Sequence, residues 1–171
     1  MNNEIQIYVA DLAAYNNGKL HGIWIDATKS VDEIFDIIKT LLERSPEEDA
    51  EEFAIHDYEG FEGLNISEYE GIQSAHDKAV FIEEHGALGG AVASQLGGSL
   101  DDAKRALEEG YIGEYRSIED YAREITEDCH ELPAYIENYI DYESMGRDME
   151  MNGDFFTIEL GYRKLHLFHN L

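Results

Sequence analysis

Cations are scarce in this chain of 171 residues: 12 Lys and Arg stand against 38 Asp and Glu, a formal net charge of −26. A surface of that sign repels phosphates, which argues against direct binding to nucleic acid or to an anionic membrane. Cysteine is nearly absent as well. Cys129 stands alone, so no intrachain disulfide can form, and a reducing interior suits the chain. Long apolar runs are missing, and nothing approaches the roughly 18 residues of a membrane span. The N-terminal MNNEIQIYVADL lacks the basic-then-apolar order of a signal peptide. The sequence therefore predicts a soluble, cytoplasmic protein.

What is present is a well-supplied core. Hydrophobic residues make up 43% of the chain and aromatics 11%, too much for a disordered acidic tail. Between Ser45 and Asp77 there are eleven acids and no Lys or Arg, yet Phe53, Ile55, Tyr58, Phe61, Leu64, Ile66, Tyr69 and Ile72 are threaded among them. A second cation-free gap runs from Arg123 to Arg147. Residues 1–60 carry a net charge of −10, residues 61–100 −5 and residues 101–171 −11. Like charges crowded on a folded surface destabilise it by self-repulsion. A chain that keeps them has a use for the field, and such a field attracts cationic surfaces.

The patterning predicts an α+β fold. Ile5, Ile7 and Val9 alternate as a strand, Asn16-Asn17-Gly18 marks a turn, and residues 20–26 form a second strand. Ser30 and Glu33 make a capping box before a helix over 31–44, and residues 52–58 read as a third strand. This is an N-terminal β-β-α-β unit. A helix is expected over 67–85, followed by the uncharged, glycine-rich stretch from Gly86 to Leu100, read as a loose helix pair or hinge. A phosphate-cradling loop does not fit there: no strand precedes it and no Lys-Ser/Thr ends it. Further helices are expected over 99–109 and 117–129. Pro133 suits the first turn of another, along which Tyr135, Ile136, Tyr139, Ile140 and Met145 continue an apolar side. After Asn152-Gly153, Phe156, Ile158 and Leu160 alternate as a strand, with 164–168 as its hairpin partner. The expected division is an N-terminal α/β subdomain over 1–62, a central helical one over 63–100, and a C-terminal α/β one over 101–171.

Catalytic and metal chemistry find little support. His56-Asp57 has no companion ligands at metal spacing, and as strand neighbours the two would point to opposite faces. His166 and His169 read as surface or interface histidines. Cys129 and His130 project about 100° apart on a helix and do not make a nucleophile–base pair. No catalytic, cofactor-binding or metal site is assigned.

The acids say more. Asp120, Glu124, Glu127, Asp128 and Glu131 follow one side of the 117–129 helix at i, i+4 spacing, partly relieved by Glu119–Arg123. Glu137, Asp141 and Asp148 repeat the pattern on the next helix. Duplex DNA carries about two charges per base pair, so −26 matches roughly 13 base pairs and a dimer roughly 26. A rigid array of carboxylates could occupy a groove built to hold a duplex. Other readings of the same charge are an acidic chaperone or shield for basic DNA-binding proteins, a salt-adapted housekeeping domain, and a two-carboxylate hydrolase.

The blocks IYVADLAAYNNGKLHGIWID (7–26), EEFAIHDYEGF (51–61), GEYRSIEDYARE (113–124) and LPAYIENYIDYESMGRDMEMNGDFF (132–156), in that order and spacing, resemble the ArdA family of antirestriction proteins. That family is carried by plasmids, conjugative transposons and phages. The resemblance implies three consecutive subdomains in an elongated, curved body whose surface imitates bent B-DNA. It implies a homodimer formed through the C-terminal region. It implies a partner, the type I restriction–modification enzyme, whose DNA groove lies in the methyltransferase core of specificity and modification subunits. Blocking that groove would stop restriction, and modification with it, of incoming mobile DNA.

The candidate mimic surface comprises Glu47, Glu48, Asp49, Asp57, Glu59, Glu62, Glu68 and Glu70 in the first part of the chain. In the second part it comprises Glu119, Asp120, Glu124, Glu127, Asp128, Glu131, Glu137, Asp141, Glu143, Asp148 and Glu150. Two bodies of −26 repel, so a dimer needs apolar contact, and the last 70 or so residues supply it. Tyr111, Ile112, Tyr115, Tyr135 and Tyr139 are the candidate interface, with Phe155, Phe156, Leu165, Leu167 and Phe168 shared between interface and core.

Overall fold

A computed structural model describes residues 4–171, and the chain is α+β. It divides into two compact units, one ending at Leu100 and the other comprising Asp101–Leu171.

In the first unit β1 (Gln6–Asp11) leads into a short helix α1 (Leu12–Asn16), then β2 (Gly22–Asp26), α2 (Val31–Glu43), β3 (Phe53–Glu59) and α3 (Ile72–Gln95). The sheet order is β2-β1-β3, antiparallel throughout. Alternation places Ile7, Val9 and Ile25 on the core side, where the Ile34, Ile38 and Leu41 stripe of α2 is also buried. The expected capping box is formed: the Ser30 hydroxyl accepts from the Glu33 N–H, and the Glu33 carboxylate accepts from the Ser30 N–H. The helix α1 was not expected. Asp11, fully buried, starts it by accepting from the N–H groups of Ala13 and Ala14 at 2.9 and 3.2 Å, and it also accepts from the Ser45 hydroxyl.

The helix expected over 67–85 starts later, at Ile72, and runs further, to Gln95. Its start is late because the preceding segment serves β3: the Ile55 N–H donates to the Glu68 carbonyl at 3.2 Å, and Gly71 turns the chain at φ 86°. The glycine stretch, read as a loose helix pair or hinge, holds a kink between two helical segments. Gly86, at φ 59° and ψ −154°, interrupts α3 in a conformation almost confined to glycine. Beyond it, Gly90 lies so close to the Glu62 backbone that a Cβ would sit 2.4 Å from the Glu62 carbonyl oxygen. The second helical segment therefore packs backbone to backbone, which no larger residue allows.

The second unit begins one residue into α4 (Leu100–Arg105) and continues with a π-helical turn (Ala106–Gly110), β4 (Tyr111–Tyr115), α5 (Ile118–Cys129), α6 (Ala134–Glu137), α7 (Tyr142–Met151), β5 (Phe155–Gly161) and β6 (Lys164–His169). The helix expected over 99–109 is thus α-helical to Arg105 and ends in a wider, underwound π turn. The hairpin of β5 and β6 forms as expected, but β4 joins it to make a β4-β6-β5 sheet. Tyr111, Ile112 and Tyr115 were read only as interface residues; too few of their neighbours alternate to announce a strand. Tyr121, Phe155 and Leu167 form the core, with Ile112, Tyr115, Ile118, Ile125, Met149 and Leu165 against it. Gly146 lets α7 approach α5, since a Cβ there would lie 2.8 Å from the Ile118 carbonyl oxygen.

A single helix along the apolar side Tyr135–Met145 does not form. It breaks into α6 and α7 because Asp141 takes the N-cap of α7, accepting from the Ser144 N–H at 3.0 Å and hydroxyl at 2.8 Å. Glu137 consequently lies on α6, apart from Asp141 and Asp148, which cap and belong to α7. Pro133 sits at the N-cap of α6, one step before its first turn.

Candidate functional site

The feature that marks this chain is its carboxylates, and the structure sorts them by what they touch. Among the described residues five cations are engaged by acids: Lys19 by Glu47, Lys78 by Glu70, Arg105 by Glu109, Arg123 by Glu119 and Arg147 by Glu143. Glu70 also accepts from the Ser67 N–H at 2.9 Å and the Ser74 hydroxyl at 2.7 Å. Burial pushes its carboxyl up, but these donors and the Lys78 ammonium outweigh that and hold it below its ordinary value. Glu70 is thus turned onto its own fold, and half-buried Glu47 is similarly occupied.

The other candidates of the first unit face solvent. Glu48 and Asp49 are exposed in the loop after α2, and Glu62 is exposed in the turn against Gly90. Glu68 lies 3.7 Å from His56 Nε2. The placement of Asp57 and Glu59 depends on a detail of the ladder. Val9 pairs with Ile55 and Tyr8 with Asp57, so His56 is an extra residue bulged out of β3. Side chains alternate along a regular strand, so Ile55, Asp57 and Glu59 would all share the core face. The bulge resets the alternation. Ile55 stays beneath with Val9, whereas Asp57 and Glu59 emerge opposite Tyr8 and Gln6. His56 and Asp57 are therefore not simple strand neighbours on opposite faces. The His56 ring instead meets Tyr15 edge-on at 4.5 Å.

In the second unit Ser117 caps α5 by accepting from the Asp120 N–H at 3.2 Å, and Tyr121, Ala122 and Thr126 form its buried side. Glu127 and Asp128 are exposed on its last turn, and Glu131 lies beyond the helix end, followed by exposed Glu137. None of these four has an ion pair among the described residues. Glu124 is exposed but engaged: it accepts from the Tyr115 hydroxyl at 3.0 Å. Burial, then this carboxylate, push the Tyr115 hydroxyl up to about 12. Asp141 is held below its ordinary value, first by the Ser144 N–H. Glu150 is half-buried and accepts from the Thr157 hydroxyl at 2.6 Å, while Asp148 is exposed.

The interface candidates separate too. Ile112 and Tyr115 pack on the unit's own core, and the Tyr111 hydroxyl lies 2.9 Å from His166 Nδ1. His166 is buried under β4, with Glu114 at 3.6 Å from Nε2, so of the surface or interface placement expected for it the surface one does not hold. Phe155, Leu167 and Phe168 are buried and Phe156 and Leu165 half-buried within the same unit. Tyr135 and Tyr139, in contrast, are 75% and 88% exposed, with Ile136 between them at 38%.

Among the described residues no group of His, Cys, Asp and Glu is arranged to hold a metal ion, and no helix is long and apolar enough to cross a membrane. Cys129 is exposed and unpaired. The family model described as Antirestriction protein (ArdA) matches residues 7–164, nearly the whole chain. No curated protein matches it.

Proposed function

We propose, on the premise that this chain belongs to the ArdA family of antirestriction proteins, that it acts as a stand-in for duplex DNA. It occupies the DNA groove of a type I restriction–modification enzyme and so protects incoming mobile DNA from restriction, and from modification by the same core. It acts by binding and carries out no chemistry of its own.

The observation that supports this most is the sorting of charge. Acids that serve the fold are paired or capped, as with Glu47, Glu70, Glu119, Asp141 and Glu150. A second set is exposed and has no ion pair among the described residues: Glu48, Asp49, Asp57, Glu59 and Glu62 in one unit, Glu127, Asp128, Glu131, Glu137 and Asp148 in the other. A chain selected only for solubility has no reason to spend a bulge on aiming Asp57 and Glu59 outward. Fixed carboxylates with no internal cation present an anionic field that a DNA-binding groove recognises.

The proposal includes a homodimer through the second unit, with Tyr135, Ile136 and Tyr139 at its centre. These are large apolar groups in water with neighbouring acids, and aromatic residues are favoured in interface cores. Screening weakens repulsion between two bodies of −26, so dimerisation should strengthen with salt while target binding weakens.

The test is capture of a type I methyltransferase core by the protein, with and without competing duplex. Mutual exclusion supports the reading. Simultaneous binding of protein and duplex in the same groove would overturn it.

A further inference from the structure

We infer that the open edge of β2, with the groove beside it, is a second self-association site, taking the same edge of another copy by antiparallel strand addition. It is independent of the contact proposed for the second unit.

The ladder shows which backbone groups are free. The Asp11 N–H donates to the His21 carbonyl at 2.9 Å, and the Ala27 N–H to the Ile5 carbonyl at 2.9 Å. Hydrogen-bonded pairs alternate along an antiparallel ladder. His21, Ile23, Ile25 and Ala27 therefore direct their N–H and C=O groups to β1, and Gly22 and Trp24 direct theirs away. No partner meets those outward groups among the described residues. Such an edge is a template for another strand, and proteins usually guard it with lysine, proline, a bulge or a covering segment. The other edges show such devices: Glu68 covers part of β3, and the register shifts at Tyr111/Gly113 on β4 and at Glu159/Gly161 on β5. β2, with the sequence GIWID, is regular along its length and has none of them.

The side chains point the same way. Leu20, Ile23 and Trp24 are exposed by 93%, 41% and 38%. A groove of about 430 Å³ runs between β2 and α2, walled by Ile23, Ile37 and Leu41. The same edge of a second copy would set its Trp24 beside Trp24 on one face and its exposed Ile23 diagonally across from Ile23 on the other.

Charge identifies the occupant. Residues 19–44 hold four cations, Lys19, Lys29, Lys39 and Arg44, against five acids, a net of −1, which leaves −25 for the rest of the chain. A basic partner gains little from this face. A second copy, repelled everywhere else, is repelled least here. The β2 edge also matches itself: a two-fold through Trp24 sets Trp24 opposite its counterpart, outward N–H and C=O groups facing each other, and Gly22 opposite Asp26, whose carbonyl also accepts from the Lys29 N–H at 3.4 Å.

Trp24 is the single tryptophan of the chain, so its fluorescence reads this edge in the intact protein. Emission and acrylamide quenching are followed over a dilution series alongside sedimentation. The expected result is a blue shift and reduced quenching as concentration rises, in step with growing mass. Ile23→Lys should abolish the shift. Leu20→Lys, at a side chain almost wholly in water, should do the same without risk to the fold. Tyr139→Glu should leave the shift intact even if it removes the contact of the second unit, so failure of one contact is distinguishable from failure of the other. Emission and quenching that stay constant with concentration would overturn the inference. So would a shift that persists in both lysine variants, or one that Tyr139→Glu removes.

Discussion

Gly90→Ala offers a sharp test of how the glycine-rich stretch serves the acidic surface. In an open helix the change should stabilise by roughly 0.5–1 kcal/mol, because alanine loses less freedom on folding. Here the added Cβ would lie 2.4 Å from the Glu62 carbonyl oxygen, 2.8 Å from the Glu62 Cβ and 3.1 Å from its carbonyl carbon. Two of these three atoms are backbone and cannot rotate away. The helix or the Glu62 turn must move, and overpacking of this kind costs about 1–3 kcal/mol. The clash exceeds the propensity gain, so a net loss on the order of 1–2 kcal/mol is expected. Two units need not melt together, but Trp24 belongs to the first, so its fluorescence follows that unit. For a unit of about 100 residues each kcal/mol lowers the melting midpoint by about 4–8 °C. Gly86→Ala provides a contrast, since its Cβ meets nothing within 4 Å and the strain is purely that of φ 59°. If Gly90→Ala melted at or above the wild-type temperature, the close approach of α3 to Glu62 would be wrong, and with it the account of how the Glu62 turn is held.

Three further outcomes are expected. Replacing Glu127, Asp128, Glu131 and Glu137 together by Gln or Asn should weaken inhibition in a plasmid-restriction assay while each single change does little, because exposed charges contribute roughly 0–1 kcal/mol apiece; loss of inhibition from one of them alone would argue for a focused site. Glu70 has a depressed folded pKa, so its stabilisation is present above its unfolded value of about 4.3 and is lost as pH falls through the folded one; Glu70→Gln should therefore lower stability at neutral pH and flatten the acid limb of a Trp24-monitored pH titration. Tyr115 is shifted the other way, to about 12, so its contribution is whole below about pH 10 and disappears as pH rises towards 12; Tyr115→Phe should remove that alkaline step from the far-UV circular dichroism of the second unit.

Local signals in the chain were enough for the elements they encode. Ser30 with Glu33 announced α2, and the alternation at Ile5–Val9 and Phe156–Leu160 announced strands, because capping and alternation depend on neighbours in sequence. The excess of acid and the family resemblance were equally legible. Tertiary structure decided the rest, since each remaining feature depends on residues far apart in the chain. Tyr111–Tyr115 becomes a strand only because β6 offers an edge more than 50 residues later. His166 is buried by that same strand. Asp57 and Glu59 face water only because β1 sets a register that expels His56. Composition counted 38 acids, but long-range pairing determined which of them serve the fold and which remain free to meet a cationic partner.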